Sequence, residues 1–147
     1  MIPIAMPLLD EDEANAAREV VLSGWVSQGQ QVAAFERDFA DLVGAPRASA
    51  VSNCTAALHL ALTALNIAPG DEVITASHSF IATANCIRYC GANPVFVDID
   101  PDTYNIDPAR VAEAITPRTR AILAVHQMGM TRSRMTLRRP SRGCHHQ

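Results

Sequence analysis

The sequence contains no lysine, because all 12 of its basic residues are arginines. Chemistry that needs a lysine amine is therefore excluded for this chain on its own. Aromatic residues are also scarce, at 5% of the 147 residues, and charged residues make up 18%. With 48% hydrophobic residues, the composition is that of an ordinary globular domain, which excludes collagen-like, low-complexity and wholly disordered chains.

Long apolar runs are missing too. No stretch approaches the roughly 18 residues that a membrane-spanning helix needs. Residues 1–10 lack the basic start and the apolar core of a signal peptide. We therefore expect a cytoplasmic protein without a membrane partner.

The four cysteines form no C-x-x-C pair and do not suggest a disulfide framework. Cys86 and Cys90 are four positions apart and would share one face of a helix. No histidine stands beside them at a zinc-like spacing, and reduced cysteine is a common small core residue. The sequence therefore predicts no metal site.

Charge is distributed unevenly along the chain. Residues 130–147 hold five arginines and no acidic residue, whereas all 15 acidic residues lie in residues 1–129. The basic segment has no helical or strand period and no interleaved aromatic residues, so it does not predict a nucleic-acid partner. We interpret residues 1–129 as the folded part and residues 130–147 as a non-native or disordered tail.

Strand and helix patterns alternate through most of the chain. Two amphipathic helices come first, one opened by four acidic residues and ending near Gly24, the other ending at Gly44. Beyond Arg47, short apolar runs predict strands, and leucine-striped or turn-bounded segments predict helices. The predicted strands are 48–52, 72–76, 94–98 and 121–125, and the predicted helices between them are 55–66, 80–90 and 108–115. This order is typical of an α/β fold with a mainly parallel sheet and crossover helices.

The clearest candidate for chemistry is the start of the helix at residue 55. The preceding run VSNC consists mostly of small residues, and the free N–H groups of Thr55 and Ala56 would form an anion site at the positive end of the helix dipole. The alternative is that Ser52 or Asn53 merely caps the helix. Neither a G-x-G-x-x-G dinucleotide motif nor a P-loop motif is present. Two histidines, His78 and His126, fall near predicted strand ends, where open α/β sheets bind ligands.

Three segments together resemble one family. The run from VSNCTAALHL to DPDTYNIDP (51–108), the run AITPRTRAILAVHQMG (114–129) and the run SGWVSQGQQVAAFERDFADLVGA (23–45) are similar to the DegT/DnrJ/EryC1/StrS sugar aminotransferases. The resemblance covers residues 2–129. It implies the N-terminal part of the large domain of a fold type I pyridoxal-phosphate (PLP) transferase.

The resemblance also implies roles for individual residues. Cys54, Thr55 and Ala56 match the turn that holds the cofactor phosphate, and Phe80 matches the aromatic residue that stacks on the pyridine ring. The alternative for Phe80 is a core residue of the predicted helix. Trp25, with the neighbouring Gly24, matches the family's loop near the mouth of the site, and His126 matches the histidine of the family's V-H-x-x-G strand end. Trp25 and His126 are predicted substrate-site residues.

Two of the family's functional residues have no match here. The lysine that forms the Schiff base and the aspartate that pairs with the pyridine nitrogen both come later in the family than the segment ending at Gly129. The resemblance implies an enzyme that transfers an amino group from a donor such as glutamate to a keto-sugar nucleotide, as a homodimer, with this chain inactive by itself. A PLP-dependent sugar dehydratase and a non-catalytic phosphate-binding or interaction module are the alternatives.

Overall fold

The computed structural model describes residues 6–130, which form two compact units that divide between Val51 and Ser52. The first unit holds two helices, α1 (Glu11–Leu22) and α2 (Gln30–Val43). The Asp10 side chain accepts a hydrogen bond from the Asp12 N–H at 3.0 Å, and the Glu13 carboxylate accepts one from the Asp10 N–H at 2.8 Å. This reciprocal cap explains why α1 starts at the acidic run, as predicted.

The second unit is a three-stranded sheet with helices on both faces. Its strands are β1 (Glu72–Ala76), β2 (Asn93–Val97) and β3 (Thr119–Leu123), and its helices are α3 (Cys54–Ala64), α4 (Ala82–Tyr89) and α5 (Pro108–Ala114). The spatial order is β2-β1-β3, and β1 pairs in parallel with both neighbours. The predicted parallel α/β architecture is therefore confirmed for this unit.

The predicted strand at 48–52 is wrong. In the structure these residues are irregular, and Val51, the last residue of the first unit, is exposed. A strand exists only where a neighbouring strand satisfies its N–H and C=O groups, and the described sheet runs from β2 through β1 to β3 without a place taken by this segment. The composition of residues 48–52 does not reveal whether a neighbouring strand is present to pair with them.

The core of the second unit lies on the two faces of the sheet. On one face, Val73 of β1 packs with Leu62 of α3 and Ile87 of α4, and on the other, Ile74 packs with Val111 of α5. Side chains alternate between the two faces along a strand, so neighbouring residues of β1 pack against helices on opposite faces of the sheet. Because all five residues of β1 are buried, this central strand is the most firmly embedded part of the unit.

The amino ends of the strands are joined by a buried carboxylate. Glu72 of β1 accepts hydrogen bonds from the Thr116 hydroxyl and from Arg118, whose Nε lies 2.9 Å from Glu72 Oε1. The Thr116 hydrogen bond and the Arg118 guanidinium lower the pKa of Glu72. This contact ties the segment before β3 to the start of β1, at the edge of the sheet opposite the candidate site.

The predicted tail falls almost entirely on residues 131–147, which lie outside the described part of the chain, so its interpretation stays a prediction. Within residues 6–130, no helix combines the length and the apolar character needed to cross a bilayer.

Candidate functional site

The start of α3 is shaped by the polar residue that precedes it. Asn53 has an extended backbone (φ −168°, ψ 167°), and its Oδ1 accepts a hydrogen bond from the Ala56 N–H at 2.9 Å. The Ala57 N–H donates to the Asn53 carbonyl at 3.1 Å. Asn53 is therefore the helix cap, which is the alternative that the sequence left open.

The Ala56 N–H is thus already occupied, whereas the first turn keeps other donors. Among residues 6–130, the backbone N–H groups of Cys54 and Thr55 and the Thr55 hydroxyl donate to no protein acceptor. Cys54 is exposed and Thr55 is half-buried. Two unpaired N–H groups at the positive end of an 11-residue helix, together with a free hydroxyl, can hold an anion.

The topology decides which edge of the sheet this helix start faces. The turn at 65–71 leads from the end of α3 into the amino end of β1, so α3 begins on the side where the parallel strands end. The same reasoning applies to α4, which carries the chain from the end of β1 to the amino end of β2. The carboxyl edge of the sheet, where α/β proteins bind ligands, is therefore the edge that gathers the candidate residues of the second unit.

Two rings follow β1 on this edge. Phe80 lies just before α4 with 76% of its surface exposed, so the alternative that it is a core residue is not what the structure shows. The His78 ring lies 5.9 Å from the Tyr104 ring, centroid to centroid, at an interplanar angle of 43°. Tyr104 belongs to the loop between β2 and α5, and sequence reasoning missed it because the contact joins positions 26 residues apart.

His126 follows β3 on the same edge. Its side chain is exposed, and it stands directly before a short 3-10 segment at Gln127–Gly129. Inside the sheet, the Thr75 hydroxyl donates to the Leu123 carbonyl at 2.8 Å, which ties β3 to β1 close to this end. The predicted strand-end position of His126 is therefore where the structure places it, whereas its role stays a prediction.

Trp25 belongs to the first unit, and its described contacts are local. Its indole Nε1 donates to the Gln28 carbonyl at 2.9 Å, and its N–H donates to the Ser23 hydroxyl at 3.2 Å. A Cβ added to Gly29 would lie 2.5 Å from that indole nitrogen, so a larger residue there would have to displace the ring. Residues 23–27 line a shallow cavity of about 280 Å³. The substrate-site role of Trp25 stays a prediction.

A second cavity lies elsewhere in the first unit. It has about 550 Å³, is open to solvent, and is lined by α1 residues together with Val26 and Gln31. None of the predicted site residues lines this cavity. Its lining is mostly apolar, and Glu19 is the single carboxylate in it.

The cysteines and acidic residues form no ion site within the described part of the chain, where no group of three or more potential metal ligands is found. Cys86 is buried, its thiol donates to the Thr83 carbonyl at 3.2 Å, and burial raises its pKa. A thiol that resists ionisation is a poor metal ligand.

Comparisons with known proteins agree with the resemblance drawn from the sequence. The model of the DegT/DnrJ/EryC1/StrS aminotransferase family matches residues 7–138. The spore coat polysaccharide biosynthesis protein SpsC of Bacillus subtilis is 50% identical over 130 residues, which are 88% of this chain and 33% of SpsC. The GDP-perosamine synthase of Caulobacter vibrioides is 49% identical over 129 residues, which are 87% of this chain and 35% of that protein.

A solved structure gives the same result. A candidate sugar aminotransferase of Streptococcus pneumoniae, in its PMP form, is 34% identical with a TM-score of 0.83, over 88% of this chain and 33% of that one. The chain thus spans about a third of the length of the relatives it matches.

Proposed function

Because this chain belongs to the DegT/DnrJ/EryC1/StrS aminotransferase family of PLP-dependent enzymes, we propose that it forms the part of such an enzyme that holds the cofactor phosphate. The observation that carries the proposal is the start of α3, where the N–H groups of Cys54 and Thr55 and the Thr55 hydroxyl lack acceptors among the described residues. Three unpaired donors at one helix start favour a ligand that brings several oxygen acceptors.

A phosphate fits these donors by charge and by geometry. The N–H groups of the first turn point outward along the helix axis and carry the partial positive charge of the helix dipole. This charge favours a dianion even without a lysine nearby. Cys54 and Thr55 would bind the phosphate directly. The Ala56 N–H would join them only if a phosphate oxygen displaced the Asn53 side chain, which now accepts its hydrogen bond at 2.9 Å.

The ring of the cofactor would lie on the carboxyl edge of the sheet. Phe80 offers an exposed aromatic face there, and such a face favours stacking with a flat, electron-poor ring. His126, at the end of β3, would face the substrate side. For Trp25 of the first unit, the substrate-site role is supported by the family resemblance alone. In this proposal the residues of the chain bind and orient the cofactor.

The transfer itself needs groups that this chain does not supply. When bound, the cofactor provides an electron sink for moving an amino group. The chain has no lysine, so in our proposal the amine that binds the cofactor covalently comes from outside these 147 residues. The chain by itself would then bind the cofactor reversibly and catalyse no transamination.

For the complete enzyme, we propose transfer of an amino group from a donor such as glutamate to a keto-sugar nucleotide, by a cytoplasmic homodimer. The names of two relatives support this substrate class, since one is a spore coat polysaccharide biosynthesis protein and the other a GDP-perosamine synthase.

The proposal is tested by titration calorimetry of the purified chain with pyridoxal phosphate and with pyridoxal, which lacks the phosphate. We expect tighter binding of pyridoxal phosphate, and a loss of about tenfold in Thr55→Val, because a hydrogen bond to a charged group is lost. Thr63→Val, on the same helix, is the control, since the Thr63 hydroxyl donates to the His59 carbonyl at 2.9 Å. Equal affinity for the two ligands, or equal losses in the two variants, would contradict the proposal.

A further inference from the structure

We propose that Asn105 is a positioning residue that holds the turn following His126 at the carboxyl edge of the sheet. The proposal rests on the function proposed above, in which His126 faces the substrate side. Asn105 lies in the loop between β2 and α5, which neither the motifs nor the resemblance singled out as part of a site.

The side-chain amide of Asn105 makes two hydrogen bonds to this turn. Its Oδ1 accepts from the Gln127 N–H at 3.0 Å, and its Nδ2 donates to the Met130 carbonyl at 3.1 Å. The two contacts bracket the 3-10 segment from both sides. One amide therefore fixes both ends of the turn that begins at His126.

The turn needs such support, because its own interactions are few and its backbone is strained. Met128 (φ +53°) and Gly129 (φ +72°) both lie in the left-handed region, which is unfavourable for a residue such as methionine. The Met128 side chain is 84% exposed and offers no apolar anchor. Within the turn, the backbone hydrogen bonds are two: the Gly129 N–H donates to the His126 carbonyl at 3.3 Å, and the Met130 N–H donates to the Gln127 carbonyl at 3.0 Å.

Asn105 is itself held rigidly, so it can act as a fixed point. Its side chain is buried, with 4% exposed, and its carbonyl accepts a hydrogen bond from the Asp100 N–H at 2.9 Å. The next residue, Ile106, is buried in the core beneath α5 and pairs with Ile99. Asn105 thus fixes the position of the turn relative to the core of the unit.

Asparagine suits this role because the two contacts need one acceptor and one donor on the same small group. Aspartate at neutral pH would keep the acceptor for the Gln127 N–H but lose the donor to Met130. Leucine, which has nearly the same shape, would lose both. These two substitutions therefore separate the hydrogen bonds from the volume of the side chain.

The test uses nuclear magnetic resonance on the isotope-labelled 147-residue chain. In Asn105→Leu, we expect the Gln127 amide to exchange with solvent about tenfold faster, as for the loss of one hydrogen bond, while amides of β1 keep their rates. Asn105→Asp should retain most of the Gln127 protection. Asn93→Leu is the control, because the exposed Asn93 side chain contacts Arg88 and not this turn.

A titration with pyridoxal phosphate gives the functional readout. In the wild type we expect shifts of the Cys54 and Thr55 amides and of the His126 ring. In Asn105→Leu the amide shifts should persist and the His126 shift should be lost, with partial recovery in Asn105→Asp. If Asn105 only stabilised the fold, Asn105→Leu would not abolish the His126 shift while leaving the amide shifts in place.

The outcomes are distinguishable. If the ligand shifts neither the Cys54 nor the Thr55 amide in the wild type, the proposed function fails. Faster Gln127 exchange in Asn105→Leu would then still support the contacts between Asn105 and the turn. Unchanged Gln127 exchange, an equal rise at β1, or the same His126 shift in all variants would overturn the positioning role. Should Asn105→Leu not fold, loss of Gln127 protection in Asn105→Asp would overturn it.

Discussion

The Oδ1 atom of Asn53 accepts a hydrogen bond from the backbone N–H of Ala56 at 2.9 Å, so the cap of α3 occupies one of the donors that an anion would use. The same asparagine therefore stabilises the helix start and competes with the proposed ligand. This competition can be measured, because the two roles respond differently to substitution.

Asn53→Ala should lower the free energy of unfolding by about 1 kcal/mol, because the cap is lost, and should strengthen pyridoxal phosphate binding by freeing the Ala56 N–H. Asn53→Asp should keep the stability and weaken binding, because its carboxylate repels the phosphate. Urea unfolding and titration calorimetry give the two quantities. Parallel changes of stability and affinity in both variants would contradict the competition.

The contact between Glu72 and its partners predicts a pH dependence of stability. The Thr116 hydrogen bond and the Arg118 guanidinium lower the pKa of Glu72 in the folded state. In the unfolded chain, the pKa of this carboxyl is about 4.3. The stabilisation is therefore fully present above that pH and is lost as the pH falls through the lower, folded pKa.

Glu72→Gln should accordingly lower the urea midpoint at pH 7, and its difference from the wild type should shrink once the pH drops well below about 4. Urea unfolding at a series of pH values measures this. Glu113→Gln is the matched control, since Glu113 pairs with Arg110 on the surface and should change little. A difference that persists unchanged in acid would refute the prediction.

The absence of lysine predicts that the purified chain forms no stoichiometric covalent adduct with pyridoxal phosphate. The N-terminal amine of Met1 is the single primary amine in the sequence. Borohydride reduction followed by mass spectrometry measures adducts, and Arg37→Lys, which adds one exposed amine, calibrates the unspecific background. A stoichiometric adduct in the wild type, together with turnover of an amino donor and a keto-sugar nucleotide, would show that the chain is itself an enzyme.

Much of the second unit could be predicted from local pattern. The predicted strand 72–76 agrees with β1, because residues 73–76 form a run of apolar or small residues, and all five residues, including Glu72, are buried. β2 begins one residue earlier than predicted and β3 two residues earlier. The β3 shift follows from pairing, since Thr119 lies opposite Glu72 at the start of β1, a contact that hydropathy does not reveal.

What the sequence did not predict depends on contacts between distant positions. Residues 48–52 have the composition of a strand but no neighbouring strand in the described part of the chain. Asn105 reaches Gln127 across 22 positions, and neither residue forms a recognisable motif with the other. The start of α3 was predicted as a site or a cap, and a single side-chain hydrogen bond, invisible in the spacing, decides that Asn53 caps it.

The most direct test of the central claim is a crystal structure of this chain with pyridoxal phosphate. We expect the phosphate at the start of α3, within hydrogen-bonding distance of the Cys54 and Thr55 N–H groups and the Thr55 hydroxyl, with the pyridine ring against Phe80. A phosphate bound elsewhere, with the Cys54 and Thr55 donors taken up by protein groups, would contradict the account.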